Sequence, residues 1–131
     1  MRRKRPITQL TPLELEIMKV LWELGSGTVQ EVQHHLAPGR KLAYTTVQTM
    51  LNVLYRKGKV ERVLQGRAHR YAACVQRRDE SLRAVRDLLD RHFEGSAESL
   101  VMNLVETRQL TPRRLDALNR MLDQAEGAGD D

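Results

Sequence analysis

Two stretches near the start of the chain carry the same helix-start grammar, and their close spacing leaves few folds open. In "TPLELEIMKVLWELG", Thr11 is an N-cap, Pro12 takes the first helical position and Glu14 completes a capping box. Leu13, Ile17, Leu21 and Leu24 form the apolar stripe, and Gly25 stands where a left-handed terminator is wanted. In "TVQEVQHHL", Thr28 caps and Glu31 follows three residues later, with Val29, Val32 and Leu36 as the buried set. The loop "APGRK" then leads into a third helix over about residues 44–57, ended by Gly58, with Val47, Met50, Leu51 and Leu54 turned inward.

After Gly58 the period changes. "KVERVL" and "AHRYAA" are short β-leaning runs separated by "QGR", and Gly66 permits the reversal of a hairpin with a basic tip. Helix, helix, helix and a two-stranded hairpin is the winged helix-turn-helix plan. The remainder reads as three more helices. The first spans roughly residues 80–93, capped by Asp79 and stopped by Gly95, with Leu82, Val85, Leu89 and Phe93 as its stripe. The second follows Ser96 and holds Leu100, Val101, Leu104 and Val105; the third starts at Thr111–Pro112 and uses Leu115, Leu118 and Leu122, with a frayed tail "AEGAGDD". Some fifty residues in three short helices make a small core, so these stripes are expected to form a dimer interface with a second copy. The fold expected is mainly α with a small β-hairpin: a winged-helix DNA-binding domain over 1–78 and a helical dimerisation domain over 79–131.

Charge divides the chain at the same place. Residues 1–78 hold fifteen Lys/Arg against five Asp/Glu, a net of +10, whereas residues 79–131 net −5. A basic first part suits a polyanion.

The third helix supports that partner. Its outward face carries Thr45, Thr49, Asn52 and Arg56, flanked by Thr46 and Gln48. A solvated face favours Glu and Lys; a face that reads the major groove needs short directional donors and acceptors. Thr can meet several base edges, and Asn or Gln can pair bidentately with adenine. Thr45, Thr46, Gln48, Thr49 and Asn52 are therefore assigned to base or near-base contact and Arg56 to phosphate. Lys41 and Arg40 precede this helix, Lys57 and Lys59 follow it, and Arg67, His69 and Arg70 lie on or near the hairpin tip, all as DNA-facing groups. Arg2, Arg3, Lys4 and Arg5 form an arm that reads equally as a minor-groove contact or a solvated tail.

Other chemistries find little support. The four histidines and the lone Cys74 have no zinc spacing, so no metal and no cofactor is expected. There is no phosphate loop, nucleophile elbow or paired-carboxylate pocket, and no enzyme is expected. Trp22, Tyr44, Tyr55, Tyr71 and Phe93 are few and read mostly as core, which disfavours an RNA stacking platform. One cysteine, no signal-peptide pattern and no bilayer-length apolar run suggest a cytoplasmic, soluble protein. The competing class is a winged-helix protein-interaction module in a larger assembly, against which the +10 charge weighs.

Together "LTPLELEIMKVLWELG", "TVQEVQHHL", "KLAYTTVQTMLNVLYRKG" and "GRAHRYAA" resemble the winged-helix repressors of the penicillinase-repressor (BlaI/MecI) family, over about residues 7–123. "SLVMNLVE" is similar to a segment of that family's dimerisation region. The resemblance implies a homodimeric transcriptional repressor on a dyad-symmetric operator, with β-lactam resistance genes as the target in the best-known members. It also implies a membrane sensor-protease pathway that cuts the C-terminal region. The matching bond here is Asn103–Leu104, with Leu where Phe is usual; the same residues also read as plain dimer core. Copper-responsive relatives carry a Cys-rich C-terminus, and this chain has no cysteine after Cys74.

Overall fold

The computed structural model describes residues 9–129. The chain forms α1 (Pro12–Leu24), β1 (Gly27–Thr28), α2 (Val29–Leu36), α3 (Tyr44–Arg56), β2 (Val60–Gln65), β3 (Ala68–Ala73), α4 (Arg77–His92), α5 (Ala97–Glu106) and α6 (Pro112–Gly129). It divides into two compact units, residues 1–84 and 85–131.

Both capping boxes form in the first unit. Thr11 N–H donates to Glu14 Oε1 at 2.9 Å and Glu14 N–H to Thr11 Oγ1 at 3.2 Å; Thr28 and Glu31 repeat the exchange at 3.1 and 3.2 Å. Each exchange satisfies two backbone donors that a helix start leaves unpaired. The helices so started bury Ile17, Met18, Leu21, Val32, Val47, Leu51 and Leu54 completely, with Val60 and Tyr71 of the sheet closing the core. Leu24, expected in the stripe, is exposed: the buried face centres on Ile17, Met18 and Leu21, and Leu24 falls at its edge in the last turn.

The hairpin is part of a three-stranded antiparallel sheet in the order β1-β3-β2, not a two-stranded one. Gly27 and Thr28 pair with Tyr71 and Arg70. A two-residue strand has no periodicity to detect, and its signal is Gly27 itself, where a Cβ would sit 3.3 Å from Val32 Cγ2. Gln65 pairs with Ala68, so the turn is Gly66–Arg67, with Gly66 at φ +65°. A positive φ at the first central residue is the hairpin geometry that requires glycine.

α4 starts at Arg77, ahead of the expected Asp79 cap. Its first turns belong to the first unit, where Glu80 is buried and accepts from Lys59 Nζ at 2.9 Å and Arg83 Nη1 at 2.8 Å. This buried pair places the division after Ala84, later than the change in charge near residue 78.

In the second unit, Ser96 caps α5 by accepting from Ser99 N–H at 3.0 Å, and Thr111 caps α6 by accepting from Arg114 N–H at 3.3 Å. α6 continues to Gly129, so residues 125–129 are helical where fraying was expected. Among the described residues of this unit none is fully buried. Val85, Val101, Val105, Leu115, Leu118 and Leu122 are exposed, and Leu89, Phe93, Leu100 and Leu104 are half-buried; Leu82, at the end of the first unit, is exposed as well.

Candidate nucleic-acid interface

α3 starts without a side-chain cap: Ala43 precedes it in extended conformation. Val47, Leu51 and Leu54 hold one face to the core, so the opposite face is fixed with little freedom to rotate. Thr45, Thr46, Gln48, Thr49 and Arg56 are all exposed on it. None of these side chains has a partner among the described residues. Five short or forked polar groups on a rigid helix, with no internal hydrogen bonds to break, can engage base edges and phosphates at low reorganisation cost.

Asn52 departs from the expectation. It is half-buried, and its Oδ1 accepts from Arg62 Nη1 at 2.9 Å and from Tyr71 Oη at 3.3 Å. Both lone pairs of the carbonyl are then occupied. A bidentate pair with adenine needs that same oxygen to accept from N6 while the amide nitrogen donates to N7, so Asn52 is a tie between α3 and the sheet in this conformation. It sits toward the sheet side of α3, which the 3.6-residue period alone did not distinguish from the outward side.

Several expected DNA-facing cations are likewise occupied by the chain's own carboxylates. Lys57 Nζ lies 2.8 Å from both oxygens of Glu14, and Lys59 is buried on Glu80. Arg40 pairs with Glu16 at 2.7 Å. Arg70 reaches Glu31 at 3.1 Å, Ser26 Oγ at 3.1 Å and Gln65 Oε1 at 2.9 Å, pinning β3 to the start of α2. Burial raises the Glu14 carboxyl pKa, but the Lys57 ammonium and the Thr11 N–H outweigh it and hold the carboxyl below its ordinary value. The Thr28 N–H, helped by Arg70, lowers Glu31 in the same way. These four cations secure the fold, a role the sequence conceals because their carboxylate partners lie 21 to 43 positions away.

Lys41 and Arg67 remain exposed with no acidic partner among the described residues, Arg67 at the tip of the hairpin turn. His69 is half-buried beside Tyr71, with ring centroids 6.1 Å apart. The basic arm of Arg2, Arg3, Lys4 and Arg5 lies outside the described residues. Of the aromatics, most of which read as core, Tyr44 and Tyr55 are exposed. Tyr55 carries a group that sequence reasoning passed over: the Arg62 guanidinium lies 3.9 Å above its ring centroid.

Residues 10–124 match the family described as penicillinase repressor. A penicillinase repressor of Bacillus licheniformis is 30% identical over 120 residues, covering 92% of this chain and 94% of that protein. The transcriptional regulator BlaI of Mycobacterium tuberculosis is 37% identical over 123 residues, covering 92% and 87%. The solved DNA-binding domain of the repressor BlaI aligns with a TM-score of 0.50 and 33% identity over 60% of this chain and 93% of that one. With helix order, wing and exposed α3 face in agreement, the chain belongs to the penicillinase repressor family, whose members are transcriptional repressors and not enzymes.

Proposed function

We propose that this chain acts as a homodimer that reads the two halves of a dyad-symmetric operator, one α3 per major groove, and blocks transcription there. The observation that carries this reading is the exposed, internally unbonded face of Thr45, Thr46, Gln48, Thr49 and Arg56. Lys41, Arg67 and His69 border it. Arg70 serves the reading unit from within.

The second unit supplies the pairing surface. Its exposed Val85, Val101, Val105, Leu115, Leu118 and Leu122, with the half-buried Leu89, Phe93, Leu100 and Leu104, gain burial from a second copy. Tethering two readers raises the effective concentration of the second to about millimolar, multiplying affinity by about 10² to 10⁴. Asn103 and Leu104 belong to this surface first. Both carbonyls accept helical or helix-end hydrogen bonds, from Thr107 N–H at 3.0 Å and Gln109 N–H at 2.9 Å. Proteolysis favours exposed loop tips, so cleavage at Asn103–Leu104 requires α5 to open. No described helix is long and apolar enough to cross a membrane, and a cytoplasmic repressor of β-lactam resistance or stress genes fits.

The test compares the full chain with residues 1–84 on a duplex that the full chain selects from a random-sequence pool. A dimer in sedimentation, and a loss of at least a hundredfold on truncation, is expected. Equal affinities for the two forms refute the coupling, and failure to select any duplex refutes the repressor reading.

A further inference from the structure

Arg62 is held in place on two sides before any ligand arrives. Its guanidinium stacks 3.9 Å above the Tyr55 ring, and its Nη1 donates to Asn52 Oδ1 at 2.9 Å. Asn52 is itself fixed by Tyr71 Oη, and Tyr71 is buried in the core. The cation is only half-buried and has no carboxylate partner among the described residues, unlike Arg40, Lys57, Lys59 and Arg70. It occupies the junction between α3 and β2.

We infer that Arg62 is a preorganised phosphate clamp, and that Asn52 and Tyr55 position it. This rests on the operator-binding reading above. With α3 in the major groove and the hairpin tip at the adjacent minor groove, the sugar–phosphate backbone between the grooves must cross the junction of α3 and β2. Arg62 stands there with four of its five N–H donors uncommitted to Asn52. Guanidinium geometry matches phosphate bidentately, and a fork already locked in place loses little rotamer freedom on binding. Phosphate contacts fix the register of the protein on the duplex without reading sequence. The clamp thus sets how deeply Thr45, Gln48 and Thr49 enter the groove, and Asn52 acts through Arg62 rather than on a base.

The experiment uses the full chain and its own selected duplex, with a random-sequence duplex alongside. Affinity is measured from about 0.05 to 0.3 M salt, and thermal midpoints are recorded for each variant. Arg62→Ala should lose about tenfold or more on both duplexes and flatten the slope of log K against log salt by about one unit per protomer. Arg62→Lys should restore the slope but only part of the affinity, because Lys keeps the charge and loses the fork. Tyr55→Leu and Asn52→Ala should weaken both duplexes while keeping the wild-type slope and the wild-type sequence preference. An unchanged slope in Arg62→Ala overturns the clamp while leaving the repressor reading intact. A changed sequence preference in Asn52→Ala overturns its positioning role and returns it to base reading. A wild-type chain that selects no duplex overturns the repressor reading itself and this inference with it.

Discussion

Replacing Lys57 by Met should destabilise the reading unit more than replacing Glu14 by Gln, although the two residues form one ion pair. Lys57 Nζ contacts both Glu14 oxygens at 2.8 Å, but the Glu14 side chain is 4% exposed and that of Lys57 14%. Without Glu14 the ammonium can turn toward water, and a Gln at that place still accepts from Thr11 N–H. Without Lys57 the carboxylate stays buried with the Thr11 N–H alone. Breaking a buried pair in this way costs about 3–5 kcal/mol. Protonation caps the loss, since neutralising a carboxyl of ordinary pKa 4.5 at pH 7 costs about 3.4 kcal/mol at 1.36 kcal/mol per unit. A loss of about 3 kcal/mol shifts the midpoint of a domain this size by roughly 12–24 °C. Dependence on pH distinguishes this mechanism from simple cavity formation. In the wild type Glu14 titrates below its ordinary value, so its contribution is present above pH 4.5 and lost as pH falls through the depressed pKa. In Lys57→Met burial is opposed only by the Thr11 hydrogen bonds, so the pKa rises relative to the wild type and the variant lacks the stability that the wild type gains as pH rises. The two stability curves, measured by urea unfolding, should diverge toward neutrality and converge toward pH 3. A gap that stays constant with pH, or a Glu14→Gln variant as unstable as Lys57→Met, would refute the reasoning. Lys57→Met should also leave the salt dependence of DNA binding unchanged, because this cation faces Glu14.

Thr49→Ala should lose discrimination at one operator position by about 1–3 kcal/mol, seen as a flattened preference in a binding-site selection. Arg67→Ala, at the exposed turn, should weaken all duplexes alike and reduce the salt slope by about one unit per protomer. For a dimer in which Lys41, Arg56, Arg62 and Arg67 each neutralise one phosphate, the slope should be about −7; a much steeper slope would mean that further cations, the carboxylate-paired ones or the arm of Arg2, Arg3, Lys4 and Arg5, also reach DNA. Gly66→Ala should cost about 1–2 kcal/mol by thermal melting, because φ +65° forces a Cβ against the following carbonyl.

What the sequence made legible was whatever is written locally. Capping boxes involve residues three apart, and both formed as expected. The hairpin turn is announced by one glycine between two β-branched or aromatic runs. The core face of α3 follows from a period that Val47, Leu51 and Leu54 satisfy. What stayed hidden depends on partners far along the chain. β1 is two residues long and exists because β3 runs past it. Asn52 lies at the edge of the outward face, and only Tyr71 and Arg62, contributed by the sheet, decide that it turns sideways.

The same distinction changes the meaning of the +10 charge on residues 1–78. Counted along the chain, it is a property of the reading unit as a whole and argues for any polyanion. Folded, the eight described cations on and around α3 and the hairpin separate into two populations. Arg40, Lys57, Lys59 and Arg70 are neutralised by Glu16, Glu14, Glu80 and Glu31, and tie α1, α2 and α4 to the loop, helix end and strands they meet. Lys41, Arg56 and Arg67 are exposed and Arg62 is stacked on Tyr55, all without a carboxylate partner among the described residues. Long-range attraction still scales with the net charge, so encounter with a duplex benefits from all of it. Counterion release at contact scales only with cations that touch phosphate, and of these eight the second population alone counts. A reading head that spends some of its cations on its own carboxylates therefore gains a rigid α3 without adding sequence-independent grip, which favours discrimination over bulk affinity.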